Sequence, residues 1–250
     1  YRCDWSSDVC SSDLEEVLEI LPPETTNASN KYTVKTVKNE YACSYIIIAT
    51  GFYDKPNLLK IPGEQLPKVK HYYDDPHRYI NQKVIIIGAA NSACDAALEI
   101  WQKGGQVTMI IRGNELSPRV KYWIKPNIEN RIKEGSITAH FNSQVTEILN
   151  DSITFKKGEE IISIENDWVL ALTGYQPDIN FLSHLGLIFD NPMNCKPLFN
   201  EISLETTMKG VYIAGVVCGG METSKLFIEN TRDHAEKIMS DILEKKSNGL

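Results

Sequence analysis

At 250 residues the chain can hold one large domain or two ordinary ones, and its 42% hydrophobic and 24% charged shares are those of a soluble globular fold. A formal net charge of −7 argues against a nucleic-acid partner, because a phosphate-binding surface needs clustered Lys and Arg. No apolar run approaches the ~20 residues that span a bilayer, and the polar, acidic first residues do not resemble a secretory signal, so no membrane partner is expected and the expected compartment is the cytoplasm.

The first segment, Tyr1–Leu14, is poor in aliphatic residues and has no period. Asp4–Leu14 reads as one translated frame of a short-read sequencing adapter, so residues 1–14 are expected to be non-native and the natural chain to begin upstream. With Cys3 and Cys10 set aside, Cys43, Cys94, Cys195 and Cys218 remain without a C-x-x-C pair. Neither a disulfide scaffold nor a metal site is indicated.

From Lys31 to Thr50 the pattern is extended: Tyr32–Val37 alternates, Asn39-Glu40 can turn, and Tyr45–Ala49 is a continuous apolar run. Such a run predicts a strand covered on both faces. Thr50-Gly51 breaks it, and a loop through Pro56, Pro62 and Gly63 leads to His71-Tyr72-Tyr73. Lys83–Ile87 is a second buried strand, followed by Gly88-Ala-Ala-Asn-Ser92. A helix is predicted from about Ser92 to Lys103, with apolar residues at Ala93, Ala96, Ala97, Ile100 and Trp101 and a stop at Gly104-Gly105. Gln106–Ile111 is the strand that completes a βαβ unit, the building block of a parallel sheet.

Further on, Ile124–Glu134 reads as helix, Ser136–His140 and Gln144–Leu149 as strands, and Ile153–Lys156 as the partner of Ile161–Ile164. Asp167–Leu172 is another buried strand, ended by Thr173-Gly174. Gly210–Gly215 closes the series of strands, and a helix with one apolar face is expected from about Thr223 to Lys245.

The junction at Gly88 carries the chemistry most directly. A phosphate diester needs unpaired backbone N–H groups at the positive end of a helix. Small residues at Gly88, Ala89, Ala90 and Ala93, with Asn91 and Ser92 between them, let the backbone approach such a ligand. The fingerprint G-x-G-x-x-G/A is met except at Ala90, and a plain tight turn in a doubly wound sheet is the competing reading. At the end of the next strand, where NAD enzymes carry Asp or Glu, stand Arg112 and then Arg119 and Lys121. A guanidinium suits a 2′-phosphate, so NADPH is expected in preference to NADH; a solvated basic loop is the alternative. Thr50-Gly51 and Thr173-Gly174 each follow a buried strand, where open α/β sheets bind ligands, and together they resemble crossings between two nucleotide domains.

The remaining candidates read more plainly. Cys94 sits in the first turn of a helix, whose dipole lowers a thiol pKa, but a small buried thiol is the favoured reading. Cys218 precedes Gly219-Gly220 and could approach a flavin. His71 and His77 are expected to be loop hydrogen-bonders, since no partner carboxylate can be named from sequence.

From about Tyr32 to Asp241 the chain resembles the YpdA-type bacillithiol-disulfide reductases, a group within the flavoprotein pyridine nucleotide-disulfide oxidoreductase superfamily. The resemblance is carried by Ile48–Pro56, His71–Tyr79, Val84–Ala93, Arg112-Gly113, Ser117-Pro118, Lys121–Pro126, Leu172–Asp178, Gly210–Gly220 and Lys225–Asn230. It implies an α/β fold of two Rossmann-like dinucleotide-binding domains, with the NADPH domain inserted into a discontinuous FAD domain truncated at its N-terminus. Residues 15–80 and 179–250 would then belong to FAD, and 81–178 to NADPH. It also implies an enzyme that reduces a small-molecule thiol disulfide, with hydride passing from NADPH to FAD and electrons then to the disulfide. By the same resemblance Gly215, Val216 and Val217 approach the flavin with the start of the last helix near Thr223, while Thr50 and Gly51 belong to the FAD-domain edge. Val216 stands where the superfamily has Asp. The FAD glycine motif and the catalytic cysteine beside it are expected upstream, so no catalytic residue is named, and a homo-oligomer is compatible with the sequence.

Two other readings stay open and one closes. A thioredoxin reductase needs a C-x-x-C dithiol before the nicotinamide domain, and His71–Asn81 contains no Cys. A flavin monooxygenase shares the domains and the Thr-Gly crossings but lacks its F-x-G-x-x-x-H signature here. An inactive NADPH-binding fragment without flavin is the non-enzyme reading.

Overall fold

The computed structural model describes residues 15–23, 31–223 and 225–248; the adapter-like segment Tyr1–Leu14 lies outside them. The chain divides into two compact units, one built from the chain up to Lys55 together with the chain from Gln176 onward, the other from Pro56–Tyr175.

The first unit opens with a meander, β1 (Val17–Leu21), β2 (Tyr32–Thr36) and β3 (Glu40–Cys43), antiparallel in that order. Thr36 sets the hairpin: its hydroxyl donates to Asn39 O (2.8 Å) and accepts from Asn39 N (2.9 Å). Strand β1 is absent from the sequence reading, because five residues of Val, Leu and Ile interrupted by Glu carry too little period. β4 (Ile46–Ile48) follows, and β5 (Lys55–Pro56) carries the chain out of the unit.

The second unit is a three-layer arrangement. Its sheet contains β6 (Val69–Lys70), β7 (Lys83–Ile87), β8 (Gln106–Ile110), β9 (Thr138–His140) and β13 (Trp168–Ala171), all parallel in the order β6-β13-β7-β8-β9. Between β7 and β8 runs α1 (Asn91–Gln102), and α2 (Lys125–Lys133) precedes β9. An antiparallel meander of β10 (Ser143–Ile148), β11 (Ser152–Lys157) and β12 (Glu160–Glu165) covers the other face. The apolar run of β7 explains the layering. Side chains alternate across a strand, so Val84 and Ile86 pack against Ala93, Ala97 and Ile100 of α1, while Ile85 and Ile87 pack against Val145, Ile153 and Phe155 of the meander. A strand buried on both faces has to be apolar throughout, and this one is.

Residues 56–80, which the sequence pattern groups with the flavin side, fold into the second unit: Val69 pairs with Val169, and Leu59, Ile61 and Leu66 pack on the Ile85 side of the sheet.

The chain returns through β14 (Tyr175–Gln176) to α3 (Ile179–His184), capped by Asp178, whose carboxylate accepts from Phe181 N at 3.1 Å. β15 (Val211–Ile213) pairs in parallel with β4, and α4 (Asp233–Ser247) lies over Tyr212 through Ile238 and Ile242.

Two expectations are corrected. Ile47 is 50% exposed, so β4 is covered on one face only among the described residues; α4 shields the neighbouring Tyr212 but not Ile47. The last helix starts at Asp233, not near Thr223. Asn230 prevents the earlier start by accepting from Phe227 N (2.7 Å) and donating to Lys225 O (2.9 Å), which folds this segment into a turn and a short 3₁₀ helix at Ile228–Asn230.

Candidate dinucleotide-binding site

In the second unit the turn after β7 is closely built. Gly88 has φ +145°, and a Cβ placed on it would stand 2.5 Å from Leu172 O and 3.0 Å from the Ala93 methyl. Only glycine fits. Its amide donates to Ile110 O at 3.3 Å, which stitches the turn to the end of β8. Ala90 is extended, and α1 begins with no side chain capping it. The first-turn amides of Asn91, Ser92 and Ala93 are therefore left for an incoming anion, which also meets the positive end of a 12-residue helix.

The basic loop is docked on this turn. Ser117 N donates to Ala89 O (2.9 Å), the Asn91 side-chain amide donates to Arg119 O (3.2 Å), and its carbonyl accepts from Lys121 N (2.9 Å). The Asn91 side chain is thus committed to holding the loop, and only its backbone is left for a phosphate. This staple joins residues about 30 apart in sequence and had no local signal. Lys121 and Arg112 are exposed, Arg112 just beyond the end of β8. Lys121 Nζ stands 5.3 Å over the Trp123 ring, which Tyr122 meets edge-on at 4.8 Å.

Thr173 and Gly174 stand at a chain crossing and hold it. The Thr173 hydroxyl donates to Asn57 O at 2.6 Å, and Gly174 O accepts from Asn57 N at 2.9 Å. Both groups tie the return crossing to the outward one inside the second unit.

In the first unit, β4 and β15 are adjacent and parallel, so Thr50-Gly51 and the turn Gly215–Gly219 leave the same sheet edge. Gly51 (φ +79°) and Gly215 (φ +78°) both have open space where a Cβ would be, the clearance a ligand needs to lie on the backbone. Val216 is half-buried, whereas the Val217 side chain is fully buried in the core with Ile48 and Ile213 and can offer a ligand only its backbone. Thr223 stands ten residues before α4 in a turn, so no helix end accompanies it.

The thiols and imidazoles resolve clearly. Burial pushes Cys94 and Cys218 up to about 12, against any thiolate at neutral pH, and the Asp95 charge adds to the rise at Cys94. Cys218 Sγ lies 4.0 Å from His234 Nδ1. Both loop histidines have carboxylate neighbours: His77 Nδ1 is 2.7 Å from Asp75, and His71 Nε2 is 3.7 Å from Glu64. Glu64 is buried and accepts from Leu59 N (2.6 Å) and Lys60 N (2.8 Å), so it is a loop bracket rather than an acid.

The residues present fit a dinucleotide in the second unit: an uncapped helix start, a glycine approach and exposed cations beside it. In the first unit the two open glycine turns fit the edge of a second nucleotide cradle.

A sequence profile described as pyridine nucleotide-disulphide oxidoreductase matches residues 14–215. The bacilliredoxin reductase Bdr of Bacillus subtilis is 43% identical over 220 residues, covering 88% of this chain and 68% of that protein. Among solved structures, the bacillithiol disulfide reductase Bdr (YpdA) of Staphylococcus aureus superposes with a TM-score of 0.87 at 40% identity, over 93% of this chain and 71% of that one. The Bacillus cereus protein of the same description gives 0.85 at 38% identity, over 92% and 71%. The chain belongs to the pyridine nucleotide-disulphide oxidoreductase family, in its YpdA-type branch, as a flavin-dependent, NADPH-using disulfide oxidoreductase.

Proposed function

We propose that this chain, as part of a cytoplasmic reductase, reduces bacillithiol disulfide to two thiols at the expense of NADPH. The second unit holds the NADPH: the amides of Asn91–Ala93 receive the pyrophosphate, and Arg112, Arg119 and Lys121 take the 2′-phosphate. The first unit contributes Thr50-Gly51 and Gly215–Val217 to the FAD site. FAD, when bound, supplies the two-electron relay between the nicotinamide and the disulfide. The chain's own residues bind, orient and charge-balance the cofactors, and none of the buried thiols described above takes a redox step.

One observation carries the NADPH assignment: the Asn91 staple brings the cationic loop to the uncapped start of α1, pairing an anion-binding helix end with the charges an additional phosphate requires. The likeness to the Staphylococcus aureus and Bacillus cereus proteins described as bacillithiol disulfide reductases supports the substrate.

The reading is tested in two steps. Titration calorimetry of the folded chain is expected to show NADP⁺ binding; no heat and no competition by NADPH would remove the nucleotide assignment. Anaerobic assay of the whole reductase, with FAD and bacillithiol disulfide, is expected to give two thiols per NADPH consumed. NADPH loss that needs O₂ and yields no thiol would favour a monooxygenase instead.

A further inference from the structure

Beyond β15 the chain enters the Gly215–Gly219 turn, whose open backbone the reading above places against FAD. A backbone N–H leaving a strand must find an acceptor. The Gly215 amide finds it on a different element: it donates to His234 Nδ1 at 3.1 Å, in the first turn of α4. His234 is only 9% exposed, and the helix that carries it packs over β15 through Ile238 and Ile242. Val216, the next residue of the turn, is apolar and offers no polar anchor. Cys218, in the same turn and buried, places its sulfur 4.0 Å from that nitrogen.

We propose that His234 is a positioning residue for the flavin-side turn, holding Gly215 through Nδ1, with the buried Cys218 sulfur packed beside that atom and not acting as a redox group. The inference rests on the assignment of Gly215–Val217 to FAD. It requires the neutral imidazole with its hydrogen on Nε2, since only an unprotonated Nδ1 accepts. Burial is the leading influence on His234 and holds it below the ordinary histidine value; Asp233 opposes this and Lys237 adds to it. The neutral form is therefore the resident one at pH 7. Without the acceptor, the Gly215 amide is unpaired and a residue at φ +78° loses the contact that holds it there. The backbone that faces the flavin then relaxes.

The test uses the whole reductase of which this chain is part. His234→Leu removes the acceptor, whereas His234→Asn restores one where Nδ1 stood. Loss of a single hydrogen bond predicts about tenfold weaker FAD binding for His234→Leu. His234→Asn is expected to recover to within about threefold, and Cys218→Ala to shift binding by less than about threefold. The NADP⁺ dissociation constant is expected to stay unchanged in all three. In the unsubstituted chain, a long-range ¹H–¹⁵N spectrum at pH 7.5 is expected to show His234 with Nδ1 unprotonated. Wild-type FAD affinity in His234→Leu, or no recovery in His234→Asn, would overturn the proposal, as would a protonated Nδ1. Failure of the unsubstituted reductase to bind FAD would instead overturn the flavin assignment beneath it, leaving the spectrum to decide the imidazole's hydrogen bond.

Discussion

Gly88 and Arg112 illustrate two ways in which one side chain matters here. At Gly88 any Cβ meets the Leu172 carbonyl at 2.5 Å, and φ +145° is closed to other residues. Gly88→Ala is expected to destabilise the chain by about 2–4 kcal/mol, seen as a lower urea midpoint. Gly113→Ala, where the nearest atom is 3.4 Å away and φ is ordinary, should be close to neutral. The role proposed for Arg112 is one of charge instead. Arg112→Glu is expected to weaken NADPH by about 10- to 100-fold and NADH by less than about threefold, because a charge-assisted bond to a phosphate is worth about 1.5–3 kcal/mol. Equal losses for both nucleotides in steady-state KM values would remove Arg112 from 2′-phosphate recognition.

Between elements, hydrogen bonds of long sequence separation decide geometry. The Asn91 staple lets α1 dictate where the loop from Ser117 to Lys121 sits. Asn91→Ala is expected to raise the dissociation constant for NADPH by about 3- to 10-fold with about 1 kcal/mol of stability lost, since two modest hydrogen bonds disappear. Affinity that does not change, measured by calorimetry, would mean that the loop is placed without it. The last helix has its own anchor. Lys245 Nζ meets Asp241 and Glu205 at 2.6 Å each and donates to the Tyr212 hydroxyl at 3.1 Å, with its side chain 19% exposed. Burial alone would raise the Asp241 carboxyl, but hydrogen bonds from Lys245 and Tyr212 leave it below the ordinary range. Lys245→Met strands two half-buried carboxylates and is expected to cost about 1–3 kcal/mol. Adding Glu205→Gln should recover part of that loss if the charges are coupled; a purely additive cycle by chemical denaturation would say that they are not.

Across the molecule, burial of titratable groups sets the pH range of stability, and the groups it shifts include an imidazole and a thiol in each unit. His140 and His234 are held below 6.5, mainly by burial. Their unfolded forms bind protons more readily, so their contribution is complete above pH 6.5 and declines as the pH falls through the lower folded values. Cys94 and Cys218 have the opposite sign: raised from 9.0 to about 12, they contribute fully below pH 9.0, and that contribution is lost as the pH rises towards 12. The urea midpoint is therefore expected to be highest between roughly pH 7 and 9. A midpoint still rising from pH 7 down to 5 would contradict the burial of both histidines.

What the amino-acid order determined by itself is the strand–turn–helix core of the second unit. The run Val84–Ile87, the small residues from Gly88 to Ala93 and the Gly104-Gly105 stop specify a strand, a tight turn and a helix of nearly the observed length, because hydrogen bonding and burial there repeat with a short local period. The strands of the meander were legible for the same reason, as was the pairing of Ile153–Lys156 with Ile161–Ile164. Only the tertiary structure decided that Asn91 holds a loop, that Thr173 ties two crossings together, that α4 waits until Asp233 and that His234 receives the Gly215 amide. Each depends on a polar atom meeting a backbone group through a turn or across the fold. Such pairings leave no periodic trace in the chain, because the approach of packed elements creates them.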